Sequence, residues 1–348
     1  YFAKIDLEYD ADTNEVIAPT FRHDLFRLAD LAEEVARFYG YDKIPATLPS
    51  GEATAGRLSE QMEIENIARN VIEQAGFSEG MTYSFESPKV FDKLLVPEGS
   101  KAREAIVISN PLGEDYSIMR TLSLNGMLTS LATNYNHRNK DVRLYELANV
   151  YLPKALPLTE LPDERMQLTL GMYGKGDFFD LKGVVEAVLD KLGIRKLITY
   201  TPEDDRPYLH PGRKADIMVD GQTIGFLGEI HPEVAENYNI GTKVYVAVLD
   251  VERLTELSNF DIKYKGVAKF PAVTRDISLV MKKNVLAGQV EEIIRKNAGK
   301  TLESVKLFDV YEGEQLSADE KSLAYSIRFR AADRTLEDKD VITVMDKI

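Results

Sequence analysis

Strand-like segments alternate with helical segments of unequal length between residues 50 and 258, and this irregular order limits the possible folds more than any other feature. Val142–Tyr151 alternates apolar and polar side chains as a strand does, and Leu168–Tyr173 is a further strand candidate. After Asp180, apolar residues recur at intervals of three and four, which predicts a helix ending at Gly193. The unequal order predicts an α+β fold with an antiparallel sheet, not a doubly wound parallel one.

The last part of the chain has a more regular order of elements. Strand, helix, strand, strand and helix are predicted over Ile277–Met281, Ala287–Ala298, Leu302–Tyr311, Ser322–Arg330 and Leu336–Ile348. This βαββα order lacks one strand of the ferredoxin-like pattern. Residues 262–348 hold 16 Lys and Arg against 14 Asp and Glu, whereas the whole chain has a net charge of −14. A truncated ferredoxin-like domain is therefore predicted at residues 262–348.

A length of 348 residues predicts two or three domains. We place three, at residues 1–45, 50–258 and 262–348. The first has the pattern of a hairpin, with strands at Phe2–Tyr9 and Val16–Ala18, followed by a helix.

The composition excludes several kinds of site. Cysteine is absent, which excludes disulfides, thiolate metal sites and cysteine nucleophiles. The four histidines are scattered, so a metal site built from several histidines is not expected. The net negative charge argues against general polyanion binding but leaves room for a local nucleic-acid surface. No apolar run approaches about 20 residues and the first residues lack a signal-peptide pattern, so we expect a cytoplasmic protein.

Four carboxylates lie within eleven residues of one another: Asp24, Asp30, Glu33 and Glu34. A helix would place Asp30 within one turn of Glu33 and Glu34, with Asp24 reaching in from the preceding loop. Carboxylate oxygens are ligands that Mg²⁺ prefers. The spacing also fits helix capping, with Asp30 at the N-cap and Glu33 three residues later. The pattern leaves both a metal site and a helix cap open, and the two need not exclude each other.

Known catalytic motifs are missing from the sequence, which has neither a glycine-rich phosphate loop nor a nucleophile elbow. His210 and His231 have no positioned partner in the sequence, so each is predicted to be a structural hydrogen bonder. Arg143 and Glu146 lie three apart on a predicted strand and therefore face opposite sides of it. We predict no catalytic residue.

Asp309 and Tyr311 lie two residues apart on a predicted strand and therefore share one face of its sheet. Phe308 and Val310 would take the other, buried face. A tyrosine beside a carboxylate suits an unpaired base, because the ring stacks and the carboxylate accepts base N–H bonds. Ser322 begins the next strand and is expected close by. An ordinary solvated sheet face is the alternative interpretation.

Basic residues precede that domain's first strand. Lys265, Lys269 and Arg275 are predicted to hold phosphates of a bound nucleic acid.

Four groups of residues together give the sequence a family resemblance. They are Arg22–Asp24 with Asp30–Pro45, Ser109–Thr121 with Asn139–Glu146, Gly228–Pro232, and Lys269–Asp276 with Leu307–Gly313. In this order they resemble the carboxy-terminal half of the β subunit of bacterial phenylalanyl-tRNA synthetases, over nearly all of the chain. Each group alone is moderately specific, and it is their common order that identifies the family.

The resemblance implies a class II synthetase-like antiparallel core at residues 50–258 that is not catalytic. It also implies that residues 1–45 end a winged-helix-like module and that residues 262–348 are a ferredoxin-fold anticodon-binding domain without its last strand. Within a phenylalanine–tRNA ligase, the chain would support the catalytic α subunit in an α2β2 assembly and position tRNA(Phe) through its anticodon. ATP would be used at the α subunit, and this chain alone would be inactive.

Two sets of site residues follow from the resemblance. A Mg²⁺ ion shared with the α subunit is implied at four carboxylates: Asp24, Asp30, Glu33 and Glu34. Reading of the first anticodon base is implied at three residues: Asp309, Tyr311 and Ser322. A further basic residue of that base-reading site would lie beyond Ile348.

Some features depart from the family's pattern. Ala215–Glu236 has no Gly-x-Gly-x-x-x-Arg match to the ATP-binding segment of class II synthetases, which agrees with a non-catalytic core. Asn125 stands where the family commonly has proline, and we expect no functional effect from this difference.

Two other functions compete with the ligase hypothesis. One is a regulatory or RNA-binding protein built on a retired synthetase core, and the other is a Mg²⁺-dependent enzyme that uses the Asp24–Glu34 carboxylates.

Overall fold

A computed structural model of the chain describes residues 1–195, 198–202, 205–264 and 266–348. The chain forms two compact units, Tyr1–Arg57 and Leu58–Ile348. Within the described ranges, no helix has the length and apolar character needed to cross a membrane.

The first unit contains a short hairpin followed by one α-helix, in the predicted order. Strand β1 (Glu8–Asp10) pairs antiparallel with β2 (Glu15–Ile17), and helix α1 spans Leu28–Tyr39. The prediction of a strand from Phe2 is wrong, because Phe2–Ile5 forms a 3-10 helix. This helix ends at Asp6, whose left-handed backbone (φ 57°) turns the chain before strand pairing begins.

A seven-stranded sheet dominates residues 58–258 of the second unit. The strands of this region are β3 (Ser78–Glu79), β4 (Phe85–Glu86), β5 (Ile118–Met119), β6 (Val142–Leu152), β7 (Asp163–Tyr173), β8 (Ile198–Thr201), β9 (Leu209–Val219), β10 (Gln222–Ile230) and β11 (Val244–Asp250). The sheet order is β3-β6-β7-β11-β10-β9-β8, while β4 and β5 form a separate pair. Every neighbouring pair in the large sheet is antiparallel except β3 and β6, which confirms the predicted antiparallel sheet.

Helices and apolar cores cover both faces of this sheet. The helices are α2 (Glu60–Gln74), α3 (Val90–Lys93), α4 (Leu124–Asn136), α5 (Phe178–Lys191), α6 (Pro232–Asn237) and α7 (Val251–Leu257). On β11, Ala247 packs in the core with α2, α5 and α7, whereas Val246 packs in the core with α3, α4 and α6. Burial on both faces explains why β11 is apolar along its length and does not alternate.

Helix α4 packs directly on the backbone of β7. A Cβ atom at Gly171 would lie 2.7 Å from Met127 Cγ and 2.9 Å from Leu131 Cδ1. Glycine at this position therefore allows the close approach of helix and strand.

The end of the chain forms a second, three-stranded sheet. Its elements are β12 (Val273–Lys282), α8 (Ala287–Ala298), β13 (Leu302–Tyr311), β14 (Glu320–Phe329) and α9 (Asp338–Met345). The predicted βαββα order is confirmed, with antiparallel strands in the order β12-β14-β13. Leu323, Tyr325 and Ile327 of β14 face a core shared with α8 and α9. The opposite face carries exposed and half-buried side chains.

Candidate functional site

The three predicted base-reading residues lie on one face of the three-stranded sheet. Tyr311 of β13 pairs directly with Ser322 of β14, and Asp309 pairs with Ala324. Residues that lie directly opposite each other share a sheet face. That face is the one turned away from α8 and α9, since Leu323 and Tyr325 point to the helical core. The sheet therefore brings Asp309, Tyr311 and Ser322 together.

The prediction that Phe308 and Val310 are buried is wrong. Their side chains are 54% and 51% exposed. The register shifts between Leu307 and Asp309, and this β-bulge leaves Phe308 without a partner residue on β14. Val310 lies opposite Leu323 but near the end of the strand. The bulge precedes both Asp309 and Tyr311, so these two still share a face.

Polar contacts fix the surroundings of this face. The hydroxyl oxygens of Ser322 and Ser278 lie 2.9 Å apart, which extends the polar surface onto β12. Lys283 Nζ lies 2.8 Å from Glu312 Oε2 and Lys321 Nζ donates to the Lys283 carbonyl, so the segments beside Tyr311 are tied together.

The three basic residues predicted to hold phosphates differ in their surroundings. Arg275 is paired with Asp338, with 2.7 Å between Nη2 and Oδ1. Lys269 is exposed, and Lys265 lies outside the described residues.

The carboxylates near α1 are held by arginines and by the backbone. Arg22 donates from Nε and Nη2 to Asp24, at 2.9 and 2.6 Å, and from Nη2 to Glu34 Oε1 at 2.8 Å. Arg37 Nη2 donates to Glu34 Oε2 at 2.6 Å. Bonding to Arg22 lowers the pKa of the Asp24 carboxyl to about 2, and bonding to Arg22 and then Arg37 lowers the pKa of Glu34.

Asp30 has a capping role, but not the one predicted. Helix α1 has Arg27 at its N-cap, so the prediction of Asp30 as N-cap is wrong. Asp30 is the third helical residue, and its carboxylate accepts the backbone N–H groups of Phe26 and Arg27 at 2.8 and 2.7 Å. It thus occupies the second position of a capping box, where an acidic side chain reaches back to the N-cap.

As arranged, these side chains do not fit a metal site. Asp24 and Glu34 are both bonded by Arg22, and Asp30 is bonded to backbone N–H groups. Over the described ranges of the chain, no group of three or more His, Asp or Glu is placed to hold a metal ion.

A buried polar network that the sequence did not reveal lies between α4 and the large sheet. Arg120 and Glu146 are each 3% exposed, with 3.3 Å between Nη1 and Oε1. Thr82 donates its backbone N–H and its hydroxyl to the Glu146 carboxylate, at 3.0 and 2.9 Å. Arg120 Nε also donates to the Asn149 carbonyl at 2.7 Å. The network ties the chain after β3 to strand β6.

A second polar group lies beside this network and contains Asn125. Asn125 Nδ2 donates to Glu86 Oε1 at 2.9 Å, and its own Oδ1 accepts the Tyr238 hydroxyl at 2.7 Å. Glu86 is 4% exposed, and burial raises the pKa of its carboxyl to about 7. Asn125 therefore joins β4, α4 and the end of α6.

An open cleft of about 470 Å³ lies next to Glu86 and Asn125. Tyr83 and Tyr116 line it, with ring centroids 5.7 Å apart, together with Lys89 and Lys93. In the part of the chain that the structure describes, no arginine lines this cleft.

The two histidines singled out in the sequence are confirmed as structural hydrogen bonders. His210 Nδ1 accepts the backbone N–H of Gly212 at 3.0 Å. His231 Nδ1 accepts that of Glu233 at 3.2 Å and so caps α6. Arg143 and Glu146 lie on opposite faces of β6, as predicted, since Arg143 pairs with Met172 and Glu146 with Thr169.

Three family models match consecutive parts of the chain. The tRNA synthetase B5 domain matches residues 1–41, and the phenylalanyl tRNA synthetase beta chain CLM domain matches residues 44–251. The ferredoxin-fold anticodon binding domain matches residues 268–348, which contain the sheet of Asp309 and Tyr311. These matches define the class of protein as a tRNA synthetase component.

Curated relatives agree with these matches. The phenylalanine–tRNA ligase beta subunit of Clostridium acetobutylicum is 43% identical over 350 residues, which cover 100% of this chain and 44% of that protein. The beta subunit of Clostridium tetani is 42% identical, with the same coverage. This chain thus spans less than half the length of these relatives. The chain belongs to the phenylalanyl-tRNA synthetase beta chain family, as the resemblance predicted.

Proposed function

We propose that this chain is the part of a phenylalanine–tRNA ligase β subunit that supports the catalytic α subunit and positions tRNA(Phe) through its anticodon. The open sheet face with Asp309, Tyr311 and Ser322 is the observation that carries the proposal. It lies within the residues matched by the anticodon-binding family model.

The chemistry of this face suits a single unpaired base. Tyr311 is 41% exposed, so a base can stack on its ring while the sheet supports the ring from the other side. The exposed Asp309 carboxylate accepts N–H groups from a base edge. The Ser322 hydroxyl, already bonded to Ser278, has further hydrogen-bonding capacity for the same base.

Replacing Asp309 or Tyr311 by alanine is expected to weaken tRNA binding. Loss of a base–aromatic stack costs roughly 1–3 kcal/mol of binding free energy. Equilibrium binding of a phenylalanine tRNA transcript to the full-length β chain in its native complex measures the effect. Tyr264→Ala, which removes an 89% exposed tyrosine outside the sheet, is the control. Unchanged binding in both test variants would remove these residues from the site.

We assign residues 50–258 to a class II synthetase-like core that no longer catalyses. Two observations support this assignment. Helices cover both faces of the sheet, and the buried Arg120 is paired with Glu146. We likewise assign residues 1–45 to the end of a winged-helix-like module and residues 262–348 to the anticodon-binding domain. ATP use is assigned to the α subunit of an α2β2 assembly.

The purified chain alone is expected to show no ATP–pyrophosphate exchange with phenylalanine. The reason is that Ala215–Glu236 lacks the Gly-x-Gly-x-x-x-Arg pattern of the ATP-binding segment of class II synthetases. Radiolabelled pyrophosphate incorporation measures the reaction, with the assembled ligase as the positive control. Exchange well above the no-enzyme level from the chain by itself contradicts the assignment.

Mg²⁺ binding at Asp24, Asp30, Glu33 and Glu34 is a proposal that rests on the resemblance and on the oxygen donors present. Arg22 would have to release Asp24 and Glu34 for both to serve as ligands. Glu33 is the most direct probe, because its side chain has no hydrogen bond or ion pair with any described residue.

Glu33→Gln is expected to reduce the rise in melting temperature that Mg²⁺ gives the native complex, while leaving the Mg²⁺-free value unchanged. Differential scanning calorimetry with and without Mg²⁺ measures both quantities. Glu63→Gln, an exposed glutamate on α2, serves as the control. If Mg²⁺ stabilises Glu33→Gln and Asp24→Asn as much as the unaltered protein, the carboxylates are not its ligands.

A further inference from the structure

The Tyr311 ring lies against Gly313, two residues further along the chain. A Cβ atom at Gly313 would lie 2.5 Å from Tyr311 Cζ and 3.0 Å from its Cε2, and it would also overlap the hydroxyl oxygen. Real Cβ atoms do not approach other atoms so closely. Any side chain at position 313 would therefore move the Tyr311 ring from its present place.

The backbone of Gly313 does not itself require glycine. Its φ lies outside the left-handed region, so alanine is compatible with the local chain. The surrounding loop is also held in place, since Leu316 N donates to the Gly313 carbonyl at 3.0 Å and Glu312 pairs with Lys283. The ring is the partner free to move, because a side chain on the open face can change to another staggered rotamer.

We propose that Gly313 is a positioning residue for recognition of the anticodon base: its missing side chain leaves the space in which the Tyr311 ring lies, and so allows the ring to take the position from which it stacks on the base. The inference rests on the proposed role of Tyr311 and adds a positioning residue to the site of Asp309, Tyr311 and Ser322. A stacking ring works only when its face is presented to the base, so displacement of the ring removes part of the stacking energy.

Gly313→Ala tests this inference in the full-length β chain, purified as its native complex. Its affinity for a phenylalanine tRNA transcript is expected to fall about 5-fold or more, the lower end of the range for loss of one stacked base. In a Tyr311→Ala background the same substitution is expected to change affinity less than about 2-fold, because the ring it displaces is absent. A transcript that lacks the first anticodon base is expected to bind Gly313→Ala and the unaltered protein equally.

Gly288→Ala is the matched control, since a Cβ atom there meets nothing within 4 Å and the residue lies on α8 of the same domain.

Fluorinated tyrosine at position 311 reports the surroundings of the ring directly, and Gly313→Ala is expected to shift its ¹⁹F resonance. An unshifted resonance, or an equal loss of affinity in the Tyr311→Ala background, overturns the positioning role. If the resonance shifts but Tyr311→Ala binds the tRNA transcript normally, the proposed function of Tyr311 is contradicted. The contact between Tyr311 and Gly313 would still be established.

Discussion

Arg120→Met is expected to lower the free energy of unfolding by about 3–5 kcal/mol, because it leaves the buried Glu146 carboxylate without its charged partner. Both side chains are 3% exposed, so water cannot replace the lost interaction. The Thr82 donors remain but carry no charge. Urea denaturation of the full chain, followed by far-ultraviolet circular dichroism, measures the change.

The exposed ion pair of Arg253 and Glu256 provides the comparison for this result. Its atoms are closer, at 2.7 Å, but its side chains are 44% and 60% exposed. Arg253→Met is expected to cost less than about 1 kcal/mol, since exposed pairs gain little over water. Similar losses for Arg120→Met and Arg253→Met would show that burial of the first pair has no energetic consequence.

Glu86→Gln is expected to make the protein more stable above neutral pH and to leave its stability near pH 4 unchanged. Burial raises the pKa of Glu86 from 4.5 to about 7, so the folded state keeps a proton that the unfolded state loses in this interval. Stability from this group is present below pH 4.5 and is lost as pH rises towards 7. A rise in pKa of this size corresponds to a loss of roughly 3 kcal/mol in the free energy of unfolding once the pH exceeds the raised pKa.

Glutamine retains the Oε1 acceptor that Asn125 uses, so the substitution removes the titration and keeps the hydrogen bond. Unfolding free energies of the variant and the unaltered protein, measured from pH 4 to pH 8, give the difference curve. Glu236→Gln, an exposed glutamate on α6, controls for the change in net charge. A difference curve that stays flat across this pH range would show that Glu86 has the same pKa in the folded and unfolded states.

Periodicity predicted the elements whose burial is regular. Ala287–Ala298 forms as predicted because its buried Val290, Ile294 and Ala298 recur every four residues, which is the spacing of one helix face. The bulge at Phe308 was missed, because alternation in sequence carries no sign of a residue left out of the pairing. The 3-10 helix at Phe2–Ile5 was missed for a similar reason, since the left-handed turn at Asp6 interrupts an apparently continuous pattern.

The candidate sites also differ in how far they could be predicted from the sequence. Asp309 and Tyr311 are neighbours on one strand, so their shared face could be predicted from spacing. The network of Thr82, Arg120 and Glu146 joins three distant segments, which only the folded sheet brings together. The Asn125 amide bridges Glu86 and Tyr238, a role that no local pattern could indicate.

The close packing of α4 on β7 restricts how this core can vary. Gly171 has no room for a methyl group as long as Met127 lies against it. A larger residue at 171 is compatible with the fold only together with shorter or displaced side chains at both 127 and 131. The three positions therefore constrain one another, although position 171 is far from the other two in sequence.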